Sequence, residues 1–327
     1  MKAIVYRKNG PPEILSLEEI EKPTPGPQEV LIKVRAAAVN PLDCHLLKGG
    51  PALMRLLMGR NKLKRPGVDA AGVVEAVGPG VTQFKPGDAV FGCCKGSFAE
   101  YASAKESSLA AKPESVSFED AAAAPIAALT ALQGLRDKGK LQTGQQVLIN
   151  GASGGVGTFA VQFARYFGAH ATGVCSARNA QLVRALGAER TIDYAREDFA
   201  QGTAKYDVIF DLAGNHSLSA CKRVLTPRGL HVGGGILDGP KSMVVMFGGL
   251  LLTLVQSRFS RQKFTTFVAK AKRDDLTLIG DLLASGQLKS MIEKRYTLDE
   301  VPEAMRYQGT WRVRGKLVIR VAERESA

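Results

Sequence analysis

Two regimes of hydrophobic patterning divide the chain. Over roughly the first 120 residues, short runs of alternating apolar and polar positions, Val30–Ala36, Ala71–Val77, Ala89–Phe91 and Ser97–Ala102, predict strands. Pro25-Gly26-Pro27 and Lys85-Pro86-Gly87-Asp88 mark turns between them, which argues a compact all-β unit. From Asp120 to about Thr266 the pattern becomes strand and helix in alternation. The predicted strands are Gln146–Asn150, His170–Val174, Thr191–Ile192, Tyr206–Asp211, Leu230–Val232 and Phe264–Val268. Six strands in βα alternation imply a doubly wound parallel sheet. The tail returns to mixed structure, with helix Asp274–Ala284, strand Lys294–Tyr296, helix Asp299–Tyr307 and strand Lys316–Val321. A closing strand of this kind often rejoins the first domain. The expected organisation is a β domain at 1–122, completed by 269–327, with an α/β domain at 123–268.

The most informative stretch lies where the first α/β strand ends. Gln146–Asn150 runs straight into Gly151-Ala152-Ser153-Gly154-Gly155-Val156-Gly157, then into the small and apolar residues of a helix. Glycines permit a sharp turn and close approach to a ligand, and a helix N-terminus offers unpaired N–H groups to an anion. This strand–turn–helix unit predicts binding of a dinucleotide pyrophosphate. NAD sites usually place an acid about 20 residues past the glycines, to hold the ribose 2′-hydroxyl. Here the second strand closes on Cys175-Ser176-Ala177-Arg178-Asn179, without a carboxylate. Ser176 can bond a 2′-phosphate and Arg178 can pair with its charge, so NADP(H) is expected.

Composition adds two constraints. The 327 residues leave room for two domains, and 45% hydrophobic with 23% charged residues is ordinary for a globular chain. A net charge of +13 favours anionic ligands and permits weak contact with a membrane surface or nucleic acid. The basic residues are scattered, with one local concentration from Arg258 to Lys272, so a nucleic-acid role is disfavoured. The five cysteines, 44, 93, 94, 175 and 221, form no disulfide framework, and the opening residues read as a strand. An intracellular, cytoplasmic protein is expected. Met243–Val255 is almost wholly apolar but shorter than the roughly 20 residues of a bilayer span. It predicts a core element or cleft wall suited to a greasy acceptor. Flanked by Lys241 and Arg258, it could also rest peripherally on an anionic membrane.

Taken together, Asn40-Pro41-Leu42-Asp43, Gly67-Val68-Asp69-Ala70-Ala71-Gly72, Phe84-Lys85-Pro86-Gly87-Asp88, Gly96-Ser97-Phe98-Ala99-Glu100-Tyr101, the glycine turn, Leu186-Gly187-Ala188 and Gly315-Lys316 carry a family resemblance that runs nearly end to end. The chain resembles the zinc-independent quinone oxidoreductase branch of the medium-chain dehydrogenase/reductase superfamily. That resemblance implies a GroES-like β domain plus a Rossmann domain, with the cofactor in the cleft between them, and a homodimer. Zinc-dependent relatives carry a cysteine where this chain has Asn40, and Gly-His-Glu where it has Gly67-Val68-Asp69. Their four-cysteine lobe is represented by Cys93-Cys94 alone, so no metal is expected.

Without a Lewis acid, reduction of a conjugated acceptor by hydride is easier than alcohol oxidation. The expected substrate is a quinone or enone. The resemblance places Asn40, Asp43 and His45 at the substrate, with Asn40 also at the nicotinamide; relatives commonly carry tyrosine at the position of His45. It also implies cofactor contacts at Thr130, Gly151, Ala152, Ser153, Gly154, Gly155, Val156, Ser176, Arg178, Tyr194, Leu212, Ala213, Gly233, Gly234, Ile236 and Lys316. Lys316 reads equally well as a strand-start lysine. Two other functions stay open: reduction of another carbonyl compound, and a cofactor-bound protein that works by contact with RNA or a membrane surface.

Overall fold

A computed structural model describes residues 1–49, 63–234 and 261–321. In chain order the first strands are β1 (Lys2–Val5), β2 (Ser16–Glu19), β3 (Glu29–Val39), β4 (Asp69–Val77), β5 (Ala89–Cys93), β6 (Tyr101–Lys105) and β7 (Leu109–Ala111). Helix α1 (Pro41–Lys48) follows β3, and α2 (Phe118–Ala123) and α3 (Pro125–Gln133) follow β7. Six strands come next: β8 (Gln146–Asn150), β9 (His170–Cys175), β10 (Arg190–Asp193), β11 (Tyr206–Asp211), β12 (Leu225–Gly234) and β13 (Lys263–Phe267). The helices among them are α4 (Gly155–Tyr166), α5 (Ala180–Ala185) and α6 (Leu218–Val224). The tail supplies α7 (Arg273–Ala284), β14 (Ile292–Thr297), α8 (Val301–Gln308) and β15 (Lys316–Arg320).

The chain divides into two compact units, Met1–Leu129 with Ala271–Ala327, and Thr130–Lys270. In the first, the sheet runs β14-β15-β3-β4-β5-β7, with β6 also paired to β3, and β1-β2 forms a separate ribbon. The tail strand β15 lies antiparallel to β3, Leu317 opposite Val39, so the C-terminal segment completes the sheet that the N-terminal segment begins. Val30, Ile32, Val34, Ala37 and Val39 of β3 enter a core with Val74, Val90, Phe98, Leu109 and Leu317; the alternation shifts by one residue at an irregularity between Val34 and Ala36, and this burial fixes the register on each side of it.

The expected strand Ser97–Ala102 is displaced to Tyr101–Lys105. Ser97 and Phe98 are fully buried, and the Phe98 carbonyl accepts from the Ile4 amide at 2.8 Å. The alternation there is satisfied by a short bridge to β1, Ala3 opposite Ala99, instead of by the main sheet.

The second unit has strand order β10-β9-β8-β11-β12-β13, and all its pairings are parallel. The order reverses between β8 and β11. At such a switch point the helices leave to opposite faces, and a crevice opens beyond the carboxyl ends of the two central strands. The glycine turn follows β8 at this point. One face of the sheet packs Leu148, Ile209 and Phe264 against Cys221 and Val224 of α6. All five cysteines are free. Among the described residues, no helix is long and apolar enough to cross a membrane. Met243–Val255 lies outside the described residues.

Candidate functional site

In the second unit the turn after β8 is shaped by steric necessity. Gly151 has φ of +90°, a left-handed conformation that glycine adopts without strain. A Cβ on Gly157 would lie 2.1 Å from the Gly151 carbonyl oxygen, so α4 packs directly on the turn. Gly154 caps the helix in an extended conformation, and the Thr158 amide makes the first bond back, to Gly154 O at 2.9 Å. The amides of Gly155, Val156 and Gly157 precede that first bond and are the donors a helix start leaves for an anion. Ser153 Oγ accepts from Asn179 Nδ2 at 3.0 Å, which ties the turn to the loop after β9.

That loop carries the residues expected to choose the dinucleotide. Ser176 is half-buried and Arg178 exposed at the carboxyl end of β9. Tyr194 follows β10 and is 63% exposed, and its amide donates to Cys175 O at 3.3 Å. On the other side of the switch point, Leu212 N donates to Asn150 O at 3.0 Å, and Asp211 Oδ1 accepts from the Ala213 and Gly214 amides. Asp211 Oδ1 also accepts from Asn150 Nδ2 at 2.8 Å. Gly233 and Gly234 end β12. The set therefore collects at the carboxyl ends of β8, β9, β10, β11 and β12, and Thr130 is buried within α3. A surface hollow of about 320 Å³ lies at the amino ends of β8–β11, lined by Gln146, His170, Arg190 and Tyr206, away from this set.

In the first unit the residues with chemistry form a buried cluster. Asn40 ends the extended run of β3 and starts α1; its amide donates to Asp43 Oδ2 at 2.8 Å, and the Asp43 amide donates to Asn40 O at 3.0 Å. The Asn40 side chain donates through Nδ2 to Asp69 Oδ2 at 2.9 Å and accepts through Oδ1 from Lys316 Nζ at 2.5 Å. Lys316 Nζ stands 3.4 Å from Asp69 Oδ2. The other oxygen, Asp69 Oδ1, accepts from the Ile126 amide at 3.1 Å, at the N-terminus of α3, where the helix dipole favours negative charge.

Asn40, Asp43, Asp69 and Lys316 are each no more than 3% exposed. Gly315 lets Lys316 enter this pocket: its φ is +75°, and a Cβ there would lie 2.1 Å from Met291 O. Burial pushes the Asp69 carboxyl above its usual range, against the opposing pull of Lys316. Burial likewise raises Asp43 to about 7, with the Asn40 amide bond opposing and the Asp69 charge adding to the rise.

Of the sequence-derived residues, the structure gathers Asn40, Asp43 and Lys316 into one network. His45 stands apart from it, half-buried with its ring 6.1 Å from that of Trp311. Ile236 lies outside the described residues. The partnership of Asp69 with Lys316 was not foreseen. Its signal is a charged residue opening each of two apolar strands, Asp69-Ala70-Ala71 and Lys316-Leu317-Val318.

Comparison with known proteins shows the family. Residues 26–114 match the alcohol dehydrogenase GroES-like domain, and residues 186–319 match a domain described as zinc-binding dehydrogenase. The chloroplast envelope quinone oxidoreductase homolog of Arabidopsis thaliana is 31% identical, with 98% of each chain covered. The 2-methylene-furan-3-one reductase of Solanum lycopersicum is 32% identical over 98% of this chain and 79% of the relative. Among solved structures, the Escherichia coli quinone oxidoreductase complexed with NADPH superposes with a TM-score of 0.81 at 25% identity, covering 98% of this chain and 100% of the other. A GroES-like unit, a six-stranded parallel nucleotide-binding unit and relatives matched along the whole length lead to one assignment: the chain is an oxidoreductase of the quinone oxidoreductase branch of the medium-chain dehydrogenase/reductase superfamily.

Proposed function

We propose that this chain uses NADPH to reduce a quinone or α,β-unsaturated carbonyl, without a catalytic zinc. The observation that carries the proposal is the buried Lys316 ammonium, held by Asn40 Oδ1 and Asp69 Oδ2. Asn40 and Asp69 fall where the zinc-dependent members of the superfamily have metal-binding motifs, so a cation from the chain itself already occupies this pocket. A second cation beside the ammonium would face uncompensated repulsion in a dry environment.

The second unit fits a nicotinamide dinucleotide. Gly157 lets helix and turn meet without a side chain, and the α4 amides suit a pyrophosphate. Ser176 and Arg178, rather than an acid, lie at the end of β9, where dinucleotide-binding folds read the adenosine ribose, and these residue types favour the 2′-phosphate of NADPH. A related protein complexed with NADPH and another named as an enone reductase support the same reading.

When bound, the cofactor supplies hydride to an electron-poor carbon of the acceptor. The chain's own contribution is electrostatic. Lys316, Asn40 and Asp69 form a fixed, preorganised network of charge and dipoles that needs no reorganisation as charge shifts during the reaction. Asp43 holds or releases a proton at its carboxyl near neutral pH, and Asn40 couples it to that charge.

Cofactor oxidation by the chelator-dialysed protein across quinones, enones, aldehydes and ketones, with NADPH and NADH, tests the proposal. Turnover confined to quinones or enones, faster with NADPH and unchanged by chelation, is the expected result. Turnover that requires added zinc, or that is limited to saturated carbonyls, would overturn it.

A further inference from the structure

The second unit buries a set of metal-ligating side chains that the reaction above does not use. His231 is the seventh residue of β12, Asp211 ends β11, and Cys221 lies in α6, which covers the same face of the sheet. One ligand atom from each lies within 4.8 Å of the other two. Asp211 is 5% exposed, His231 6% and Cys221 fully buried.

Hydrogen bonding and the His231–Asp211 pair account for only part of this arrangement. Asp211 Oδ1 is taken by the Asn150 side chain and the Ala213 and Gly214 amides, which leaves Oδ2 facing His231. His231 Nε2 lies 3.4 Å from that oxygen, yet among the described residues this buried nitrogen has no hydrogen-bond partner. The two atoms face each other as a close pair, but the contact is not aligned as a hydrogen bond. A buried Nε2 with no partner is a costly state unless something else binds it.

We propose that Asp211, Cys221 and His231 bind a zinc ion. Zinc takes nitrogen, sulfur and oxygen ligands in a tetrahedron, and bonds of about 2.0–2.3 Å set neighbouring donors about 3.3–3.8 Å apart. The observed 3.4 Å between His231 Nε2 and Asp211 Oδ2 meets that spacing as it stands. The charges also balance. Binding displaces the Cys221 thiol proton to solvent, and a thiolate plus a carboxylate neutralise a divalent cation, leaving a site without net charge. Three protein ligands leave a fourth position for water, and the loop Ala213–Asn215 that follows Asp211 is exposed. The ion would fix α6 and the ends of β11 and β12 to one another. The residues are distinct from Asn40 and Asp69, so the site stands or falls independently of the proposed reaction.

Cobalt(II) titration of the chelator-stripped full-length chain tests the assignment. One equivalent should bind with a thiolate-to-cobalt charge-transfer band that zinc displaces. In folded Cys221→Ser the band should vanish, and in His231→Gln affinity should fall at least about 100-fold. Absence of a saturable band in the wild-type chain, or a band that survives in Cys221→Ser, overturns the proposal. X-ray absorption of the zinc-loaded wild-type chain needs no variant: one sulfur with nitrogen or oxygen neighbours supports the site, and no sulfur or several sulfurs refute it.

Discussion

Replacing Lys316 by Met removes the ammonium from the Asn40–Asp69 pocket while keeping an unbranched apolar stem. Asp69 then remains buried, with Asn40 and the Ile126 amide as donors but no countercharge. At 3.4 Å, with an effective dielectric constant of about 20, the lost attraction is roughly 5 kcal/mol. Relief of the lysine's own desolvation offsets part of this, so a loss of about 3–5 kcal/mol at pH 8 is expected, as for other broken buried pairs. The loss should depend on pH. Asp69 already has a raised pKa, and without Lys316 it rises further, so the folded variant takes up a proton that the unfolded chain releases above 3.8. At pH 5 that protonation costs only about 1.6 kcal/mol, from 1.2 units at 1.36 kcal/mol each, so the deficit should shrink to about 1–2 kcal/mol.

Urea unfolding at pH 5 and 8 measures this directly. The single tryptophan, Trp311, lies in the same unit as the pair and reports its unfolding. The double variant Asp69→Asn with Lys316→Met leaves neither charge unpaired and should recover most of the loss at pH 8. An equal loss at both pH values, or strictly additive effects in the double variant, would refute the account of a buried, mutually dependent ion pair.

Three further expectations follow from particular contacts. Arg178→Ala should weaken NADPH binding by about 1–3 kcal/mol and leave NADH binding almost unchanged, as read by fluorescence titration with each cofactor. In Gly157→Ala the new methyl meets the Gly151 carbonyl oxygen at 2.1 Å, so backbone must move; thermal unfolding should show a loss of about 1–3 kcal/mol, with weakened dinucleotide binding. Asp43, raised to about 7, binds its proton more tightly folded than unfolded, so its contribution to stability is complete below about pH 4 and is lost as pH rises to about 7. Asp43→Asn keeps an acceptor for the Asn40 amide and should flatten the pH–stability profile over that window by up to about 4 kcal/mol.

Much of the fold was legible because local periodicity encodes it. The strands β8 and β11 have the residue limits their apolar runs predict, and the glycine turn follows from spacing alone, since few other sequences permit so tight a strand-to-helix passage. Boundaries failed where a buried segment served a different partner. Ser97–Glu100 alternates like a strand of the main sheet, but its backbone pairs with β1, and no window of sequence records which edge a strand will find.

The sites divide in the same way. The placement of Gly151, Ser176 and Arg178 at the carboxyl ends of β8 and β9 is legible in the sequence because they lie within one βαβ unit, where order along the chain dictates position. The Asn40–Asp69–Lys316 network joins residues separated by as many as 276 positions, and only the pairing of β15 with β3 and β3 with β4 brings them together. Asp211, Cys221 and His231 converge for a similar reason. Adjacent parallel strands place two of them on one face, and α6 lays the third across it. Sequence by itself determined the two regimes of structure, the glycine turn after β8 and the absence of an acid at the end of β9, because each depends on near neighbours. Tertiary structure alone decided which buried charges are paired, because an ion pair needs contact across strands and the sequence carries no distances between them.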